Sequence, residues 1–442
     1  MTPKHFKLAA LVAAAMAASG CGLFKKGGPT TPVVGERISV LAGETDVQVD
    51  PATAALPMAL PAPVANADWA QSGGNAAKSM GHVALTGSLN QLWSASIGQG
   101  TSLSARLAAA PIVADGKVFT IDTMSTVRAF DAATGGEVWQ SRFGVERGNE
   151  ASLFGGGLAF TGGRVYATNG LGFVTALDAG NGGQVWQVRP GGPLRGAPTI
   201  AGDALYVMSQ DNQIFSLKLS DGSTTWNAAA ALEIAGVFGV ASPAYAQGTV
   251  VAGFSSGELN AYRYENARLV WQDALARTSI RTSVSSLSDI DADPVIDNGQ
   301  VIAIGQGGRM VALELITGQR IWELNLAGIS TPWVAGDWVF VVTDDAKLMA
   351  IARASGKVRW ISQLQQYRKP KSKSGPISYV GPVLAGGRLI VANNQGAIVF
   401  ADPTTGAVQG QTSIKTGISL PPVVANDMMY VLDDNGRLHA FK

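Results

Sequence analysis

AFDAATGGEVW, residues 129–139, decides the fold, because the chain repeats it. ALDAGNGGQVW (176–186), SLKLSDGSTTW (216–226), AYRYENARLVW (261–271), ALELITGQRIW (312–322) and AIARASGKVRW (350–360) follow the same columns, and FADPTTGAVQG (400–410) is a degenerate copy with Gly410 in the tryptophan column. With Trp93, which ends the abbreviated copy LNQLW (89–93), the recurring tryptophans stand 38 to 51 residues apart. A unit of that period is the signature of a repeat architecture.

Each column has a physical reading. A glycine follows Thr, Asn, Asp or Ser at 135, 182, 222, 318, 356 and 406, where a tight turn between antiparallel strands requires positive φ. Ala267 takes its place once, so strain or a different turn is expected there. The small residue ten positions before each Trp (Ala129, Ala176, Ser216, Ala261, Ala312, Ala350, and Ala440 in the last copy) is expected where strands crowd near a common axis, which makes Phe400 an outlier. The tryptophan opens an outer strand and covers the seam with the next unit; burial of such a ring contributes roughly 2–3 kcal/mol. Two further apolar strands precede each phrase, as in TGGRVYATNGLGFVTAL (161–177), and a short strand precedes those. Four-stranded units repeated radially make an all-β protein, a β-propeller of four-stranded antiparallel blades.

The ends give the blade count. The last copy, residues 424–442, lacks a Trp strand, and the first, 89–98, is a Trp strand with nothing before it. Each supplies what the other lacks, so the N- and C-terminal segments pair within one blade and close a ring of eight, about 44 residues per blade.

The expected domain order is a lipoprotein signal peptide (1–20), a Pro/Ala-rich tether (21–67), a lead-in segment (68–88) packed on one propeller face, and the propeller (89–442). Lys4 and Lys7, the apolar run 8–18, and Ser19-Gly20-Cys21 describe an export signal, too short for a membrane span. AASGC resembles a bacterial lipobox, which makes Cys21, the chain's one cysteine, the acylated residue and a lipid anchor; Gly22 after it resembles the outer-membrane sorting pattern of enteric bacteria. ISVLAGETDVQVD (38–50) alternates apolar and polar residues and is suited to adding an edge strand. The 33 basic and 32 acidic residues nearly cancel, leaving no long-range field for nucleic acid.

Catalytic equipment is sparse. His82 lies in the lead-in segment, and His439 occupies a column that elsewhere holds Arg128, Thr175, Val311 and Met349, a packing position. Asp289, Asp291 and Asp293 alternate as in a calcium loop, but Pro294 replaces the required glycine and Gln300 the bidentate glutamate, so no calcium site is expected. The basic run RKPKSKSG (368–375) reads as a solvated loop. Two connections break the spacing: QVRPGGPLRGAPT (187–199) and QDALARTSIRTSVSSLSDIDADPV (272–295). Both join an outer strand to the next inner strand and open on one face, so Leu194 and Arg195 opposite Asp289 and Asp291 are expected to form an exposed patch with a charged rim; the alternative is that Arg195 and the two carboxylates simply pair with each other or with backbone.

The repeats resemble those of the quinoprotein alcohol dehydrogenases, which hold pyrroloquinoline quinone on the propeller axis. That resemblance covers the scaffold only: those enzymes use a vicinal disulfide, and this chain has one cysteine and no C-x-x-C-H haem motif. The lipobox, the tether, the propeller, LRGAPT (194–199) and LSDIDADPV (287–295) together resemble the BamB family, the lipoprotein subunit of the outer-membrane β-barrel assembly machinery. The resemblance implies a non-enzymatic, cofactor-free scaffold, lipid-anchored at the periplasmic face of the outer membrane, that docks on the POTRA domains of the barrel subunit and assists folding and insertion of β-barrel proteins. Leu194, Arg195, Asp289 and Asp291 would carry the docking, Arg195→Glu would weaken it without unfolding the propeller, and an exposed blade edge would offer pairing to an unfolded outer-membrane strand. A quinone-dependent dehydrogenase and a periplasmic scaffold with another partner are the alternatives.

Overall fold

The structure, a computed structural model, describes residues 47–146, 148, 155–232, 241–275 and 289–442; Cys21, the expected signal peptide and the expected tether up to Asp46 lie outside them. From Val47 onward the chain forms one compact unit. Eight four-stranded antiparallel sheets make the eight blades of a β-propeller. Their innermost strands are Ile112–Ala114, Gly156–Thr161, Thr199–Ala201, Ala244–Ala246, Val295–Asp297, Trp333–Ala335, Tyr379–Ala385 and Val423–Ala425, which begin blades one to eight. Blade eight is the closing blade: its outermost strand is Gln91–Ser96, paired antiparallel with the C-terminal Arg437–Phe441 so that Trp93 faces Ala440.

The small-residue column has a different cause from the expected one. Ala129, Ala176, Ser216, Ala261, Ala312, Ala350 and Ala440 lie on the third strand of each blade, directly opposite Trp139, Trp186, Trp226, Trp271, Trp322, Trp360 and Trp93. A short side chain leaves room for the ring across the ladder, where opposed Cβ atoms are about 5 Å apart. In blade seven the pair is reversed in size, Phe400 opposite Gly410, so the apparent outlier occupies the side of the pair that its partner leaves empty.

Each tryptophan also staples a seam. Its Nε1–H donates to a carbonyl in the hairpin turn of the next blade, from Trp93 to Ala132 O at 3.2 Å through to Trp360 to Pro403 O at 3.1 Å. The turn glycines hold φ between 72° and 75°. A Cβ on Gly182 would stand 2.6 Å from the Trp139 ring, so glycine is required twice over, for its backbone and for its lack of a side chain. Ala267 adopts φ 60° in the equivalent turn, the strain expected from sequence. The seam without a tryptophan, from blade seven to blade eight, is also the one where the turn is replaced by the two chain ends, Asn90 N–H donating to Lys442 O at 2.8 Å. With no turn to cover, the Trp column carries Gly410.

The lead-in segment does not simply lie on a face. Residues 66–86 run once around the propeller axis and bond to every blade in order. Asn426 N–H donates to Asn66 O in blade eight (2.7 Å), Trp69 and Val113 exchange both backbone bonds in blade one, and Phe160 N–H donates to Ala70 O in blade two (2.7 Å). Ile200 N–H donates to Gln71 Oε1 in blade three (2.8 Å). Tyr245 and Ile296 donate to Ala76 O and Ala77 O in blades four and five, both at 2.8 Å. Trp333 Nε1–H donates to Gly81 O in blade six (2.7 Å), Gly386 N–H donates to Val83 O in blade seven (2.9 Å), and Thr86 N–H donates to Asp427 Oδ1, back in blade eight (2.6 Å). Innermost strands turn an unpaired edge toward the axis, and buried backbone donors left without acceptors cost free energy. The circuit supplies those acceptors from the chain itself. Further upstream, Val49 pairs in parallel with Val358 at the outer edge of blade six, so the described end of the 38–50 stretch does add to an edge. The basic run contains a hairpin, Tyr367–Lys369 with Ser374–Pro376, whose Arg368, Lys369, Lys371 and Lys373 are exposed.

Candidate docking face and axial cavity

The four residues expected to form an exposed patch are together but buried. Leu194 is 0% and Arg195 1% exposed, Asp289 1% and Asp291 8%. Leu194 is fixed by a bridge to Ser209, and Arg195 N–H donates to Met208 O at 2.8 Å. From there the guanidinium reaches across the approach to blade four: Nη2 donates to Asp289 Oδ1 at 2.8 Å and lies 3.8 Å from Asp291 Oδ1. Ile290, between the two carboxylates, is buried, and a Cβ on Gly253 would stand 2.4 Å from its Cγ2, so that glycine admits the loop into blade four. The burial has an electrostatic cause. Opposite charges two blades apart on one face meet each other, and once joined they are covered by the loops they join. The pair is a strut between the approaches to blades three and five. Arg195→Glu is therefore expected to unfold the propeller locally, against the expectation from sequence, since it gathers three carboxylates in one buried place. Leu287 and Ser288 lie outside the described residues.

The electrostatics follow from burial. Burial raises the Asp289 carboxyl above its ordinary range even with Arg195 beside it. Asp291 is pushed up to about 7, first by burial and then by the Asp289 charge, with Arg195 offsetting only part. The three alternating carboxylates do not converge as a calcium loop would require: Asp293 turns away to accept from Ser72 Oγ (2.6 Å) and Ser242 N (2.7 Å). His439 sits in its column as a buried packing residue, Nε2 3.1 Å from Asp433 Oδ2 and stacked on Phe441. His82 holds the circuit to blade seven, its Nδ1 2.7 Å from Pro61 O while Gly387 N–H donates to Nε2.

Asp291 also lines a cavity of 470 Å³ to which the approaches of all eight inner strands contribute, so it lies on the axis. Trp69, Ser72, Gly73 and Lys78 of the circuit line it too. Trp69 stacks on Trp333 with ring centroids 6.0 Å apart. Lys78 is buried, its Nζ donating to Ser72 O and Thr199 Oγ1, both at 3.0 Å, and burial pushes its pKa down to about 8 although Asp293 partly offsets this. Sequence reasoning did not single out Lys78: a lysine in a Gly/Ala/Ser-rich stretch carries no periodicity that places it inside a ring. Around the same face, Leu103, Val145, Leu232 and Ile329 stand exposed on the connections into blades one, two, four and six.

Comparison with known proteins bears on this geometry. The family described as outer membrane protein assembly factor BamB matches residues 123–362 and 365–442. The curated BamB of Yersinia pestis is 25% identical over 79% of this chain and 88% of its own length, and that of Vibrio cholerae 30% identical over 78% and 87%. Among solved structures, BamB from Moraxella catarrhalis superposes with TM-score 0.67 at 20% identity, covering 80% of this chain and 99% of its own. The quinohemoprotein alcohol dehydrogenase of Comamonas testosteroni gives 0.66 at 14% identity, covering 85% and 80%, a likeness of fold alone.

Proposed function

The chain belongs to the BamB family of outer-membrane protein assembly factors, and we propose that it works there as a non-enzymatic scaffold that docks on the POTRA domains of the barrel subunit and assists folding and insertion of β-barrel proteins. In this reading Cys21 carries the lipid that anchors the chain at the periplasmic face of the outer membrane. The observation that carries the docking site is the set of exposed apolar side chains on the blade connections: Leu103, Val145, Leu232 and Ile329 all stand on the face where the Arg195 strut lies. Solvated apolar tips on rigid supports are what an interface buries.

Leu194, Arg195, Asp289 and Asp291 keep a role in this reading, beneath the contact surface. The strut fixes the connections into blades three and five relative to each other, and so holds the surface a partner meets. Free blade edges give unfolded outer-membrane strands a place to pair, as Val49 pairs with Val358. The test is capture of the tagged protein from gently solubilised outer membranes. A POTRA-containing barrel protein should be recovered in stable proportion with the wild type and lost with Leu103→Asp/Leu232→Asp, whose melting should match the wild type. Recovery of the propeller alone from intact membranes would overturn the reading.

A further inference from the structure

The axial cavity contains a set of hydrogen-bonding atoms with nothing bonded to them. Among the described residues, Asp291 Oδ1, Gln306 Oε1 and Ser242 Oγ are buried and without a hydrogen-bond partner, Asp291 Oδ1 having only the ion pair with Arg195 at 3.8 Å, and all three residues line this one space. Buried polar atoms in native proteins are nearly always satisfied, so three at one cavity ask for a donor. Of the neighbouring donors, Lys78 Nζ spends two of its three N–H groups on Ser72 and Thr199, and the backbone N–H of Ser242 is engaged by Asp293.

The balance of charge gives the sign of the missing group. Asp289, Asp291 and Asp293 are set against Arg195 and Lys78, while Asp344 and the lining Arg106 are both exposed. Much of the remaining wall is apolar, with Trp69, Leu107, Trp333, Pro382, Ile418 and Leu420 in it. A group with several N–H donors, a positive charge and an apolar body would complement both parts. A carboxylate or phosphate would meet acceptors and a surplus of negative charge.

We infer that the axial cavity is a binding site for a primary ammonium group carried on an apolar chain, with Asp291, Gln306 and Ser242 as its acceptors and the Trp69–Trp333 wall against its body. Such a group reaches the site as a free amine or as the lysine side chain of a polypeptide. An ammonium offers three N–H donors to three acceptors, and desolvated ammonium is also attracted to a tryptophan face. The site stands on the cavity alone and holds whether or not the docking reading does.

Calorimetric titration of the full chain at pH 8 tests it in two arms, one with n-hexylammonium and one with a short peptide bearing a central lysine between apolar residues. Binding in either arm is expected, and the arm that binds identifies the source. Asp291→Asn should weaken it by about tenfold or more, the worth of a charge-assisted hydrogen bond, and Gln306→Leu by a smaller factor. Gln306→Leu is checked for unchanged melting and Asp291→Asn for melting no lower than the wild type, and Gln306→Leu keeps the test sound should Asp291→Asn fail to fold. Lowering the pH to 5.5 should weaken binding, as Asp291 takes up a proton in the field of Asp289, Arg195 and Asp344 and as Lys78, beside Asp293 in the same wall, becomes fully charged. Silence in both arms, equal binding by n-hexanol, or affinity unmoved in both variants would overturn the site and assign those acceptors to ordered water.

Discussion

The rim and the axis of this propeller are held together in opposite ways. At the rim one device recurs seven times: a tryptophan opposite a small residue, its Nε1–H in the next blade's turn. At the axis one segment serves all the blades, without a period. Residues 66–86 offer a backbone carbonyl to the backbone N–H of blades two, four, five, seven and eight, but meet blade one by a two-way exchange with Val113, blade three by the Gln71 side chain and blade six at the indole of Trp333. A repeated device is redundant, and in repeat proteins each interface contributes its own share. A unique device has no second copy. The comparison predicts that single changes at the axis cost more than single changes at the rim.

The largest effect is expected at the strut. Arg195→Met leaves Asp289 and Asp291 buried without their cation and should lower stability by about 3–5 kcal/mol in denaturant unfolding. Arg195→Met combined with Asp289→Leu should recover much of that loss, because an apolar pair of similar volume replaces a buried ion pair at little cost. A double variant no better than the single would mean that the strut's geometry, rather than the stranded charge, carries the effect.

At the rim, Trp139→Ala removes one staple, the ring and its bond to Ala179 O at 3.0 Å, and should cost about 3 kcal/mol. Its combination with Trp271→Ala, a seam three blades on, should cost close to the sum, as distant sites do. Marked cooperativity between the two would break the picture of independent seams.

A third effect separates axis from rim by pH. The folded pKa of Asp291, about 7, stands above its ordinary 3.8, so the folded state keeps this proton longer than the unfolded chain. The penalty of the buried charge is absent below the lower value, grows between the two, and is complete above the higher. Stability should therefore fall as pH rises through that window, by at most about 1.4 kcal/mol per pH unit from this group. Asp291→Asn should flatten the slope, while Trp139→Ala should lower the whole curve without changing it. Parallel slopes for wild type and Asp291→Asn would remove Asp291 from the account.

What could be read from the sequence divides along the same line. The phrase 129–139 and its copies foretold eight blades, the closure by Gln91–Ser96 and the strained turn at Ala267, because a periodic cause leaves a periodic trace. Leu194, Arg195, Asp289 and Asp291 were found because they interrupt that period, and their proximity was foreseen. Their burial was not, since spacing along the chain does not tell whether opposite charges on one face turn to solvent or to each other. That the lead-in segment packs on the propeller was foreseen, but its circuit through every blade and the burial of Lys78 were not. The segment has no internal repeat of its own, so its spacing does not show which residue meets which blade. The small-residue column was visible but misread, because its cause is the ring across the ladder rather than the axis.

The smallest effect tests how strictly the rim repeats itself. Ala267 holds the left-handed turn that glycine holds elsewhere, with the same backbone bond, Ala267 N–H to Arg263 O at 3.1 Å against Gly135 N–H to Asp131 O at 2.9 Å. Positive φ costs an alanine about 1 kcal/mol, so Ala267→Gly should stabilise the protein by up to that amount in thermal unfolding. Gly182→Ala should do the reverse and by more, since its new Cβ would meet the Trp139 ring as well as the strained backbone. The alternative is that blade four has adapted. Trp226 packs in the cluster that Ala267 joins and still donates to Tyr264 O at 2.7 Å, so the methyl group fills space there rather than clashing. If that contact outweighs the backbone strain, Ala267→Gly will destabilise, and this seam is a local solution rather than a copy of the other six.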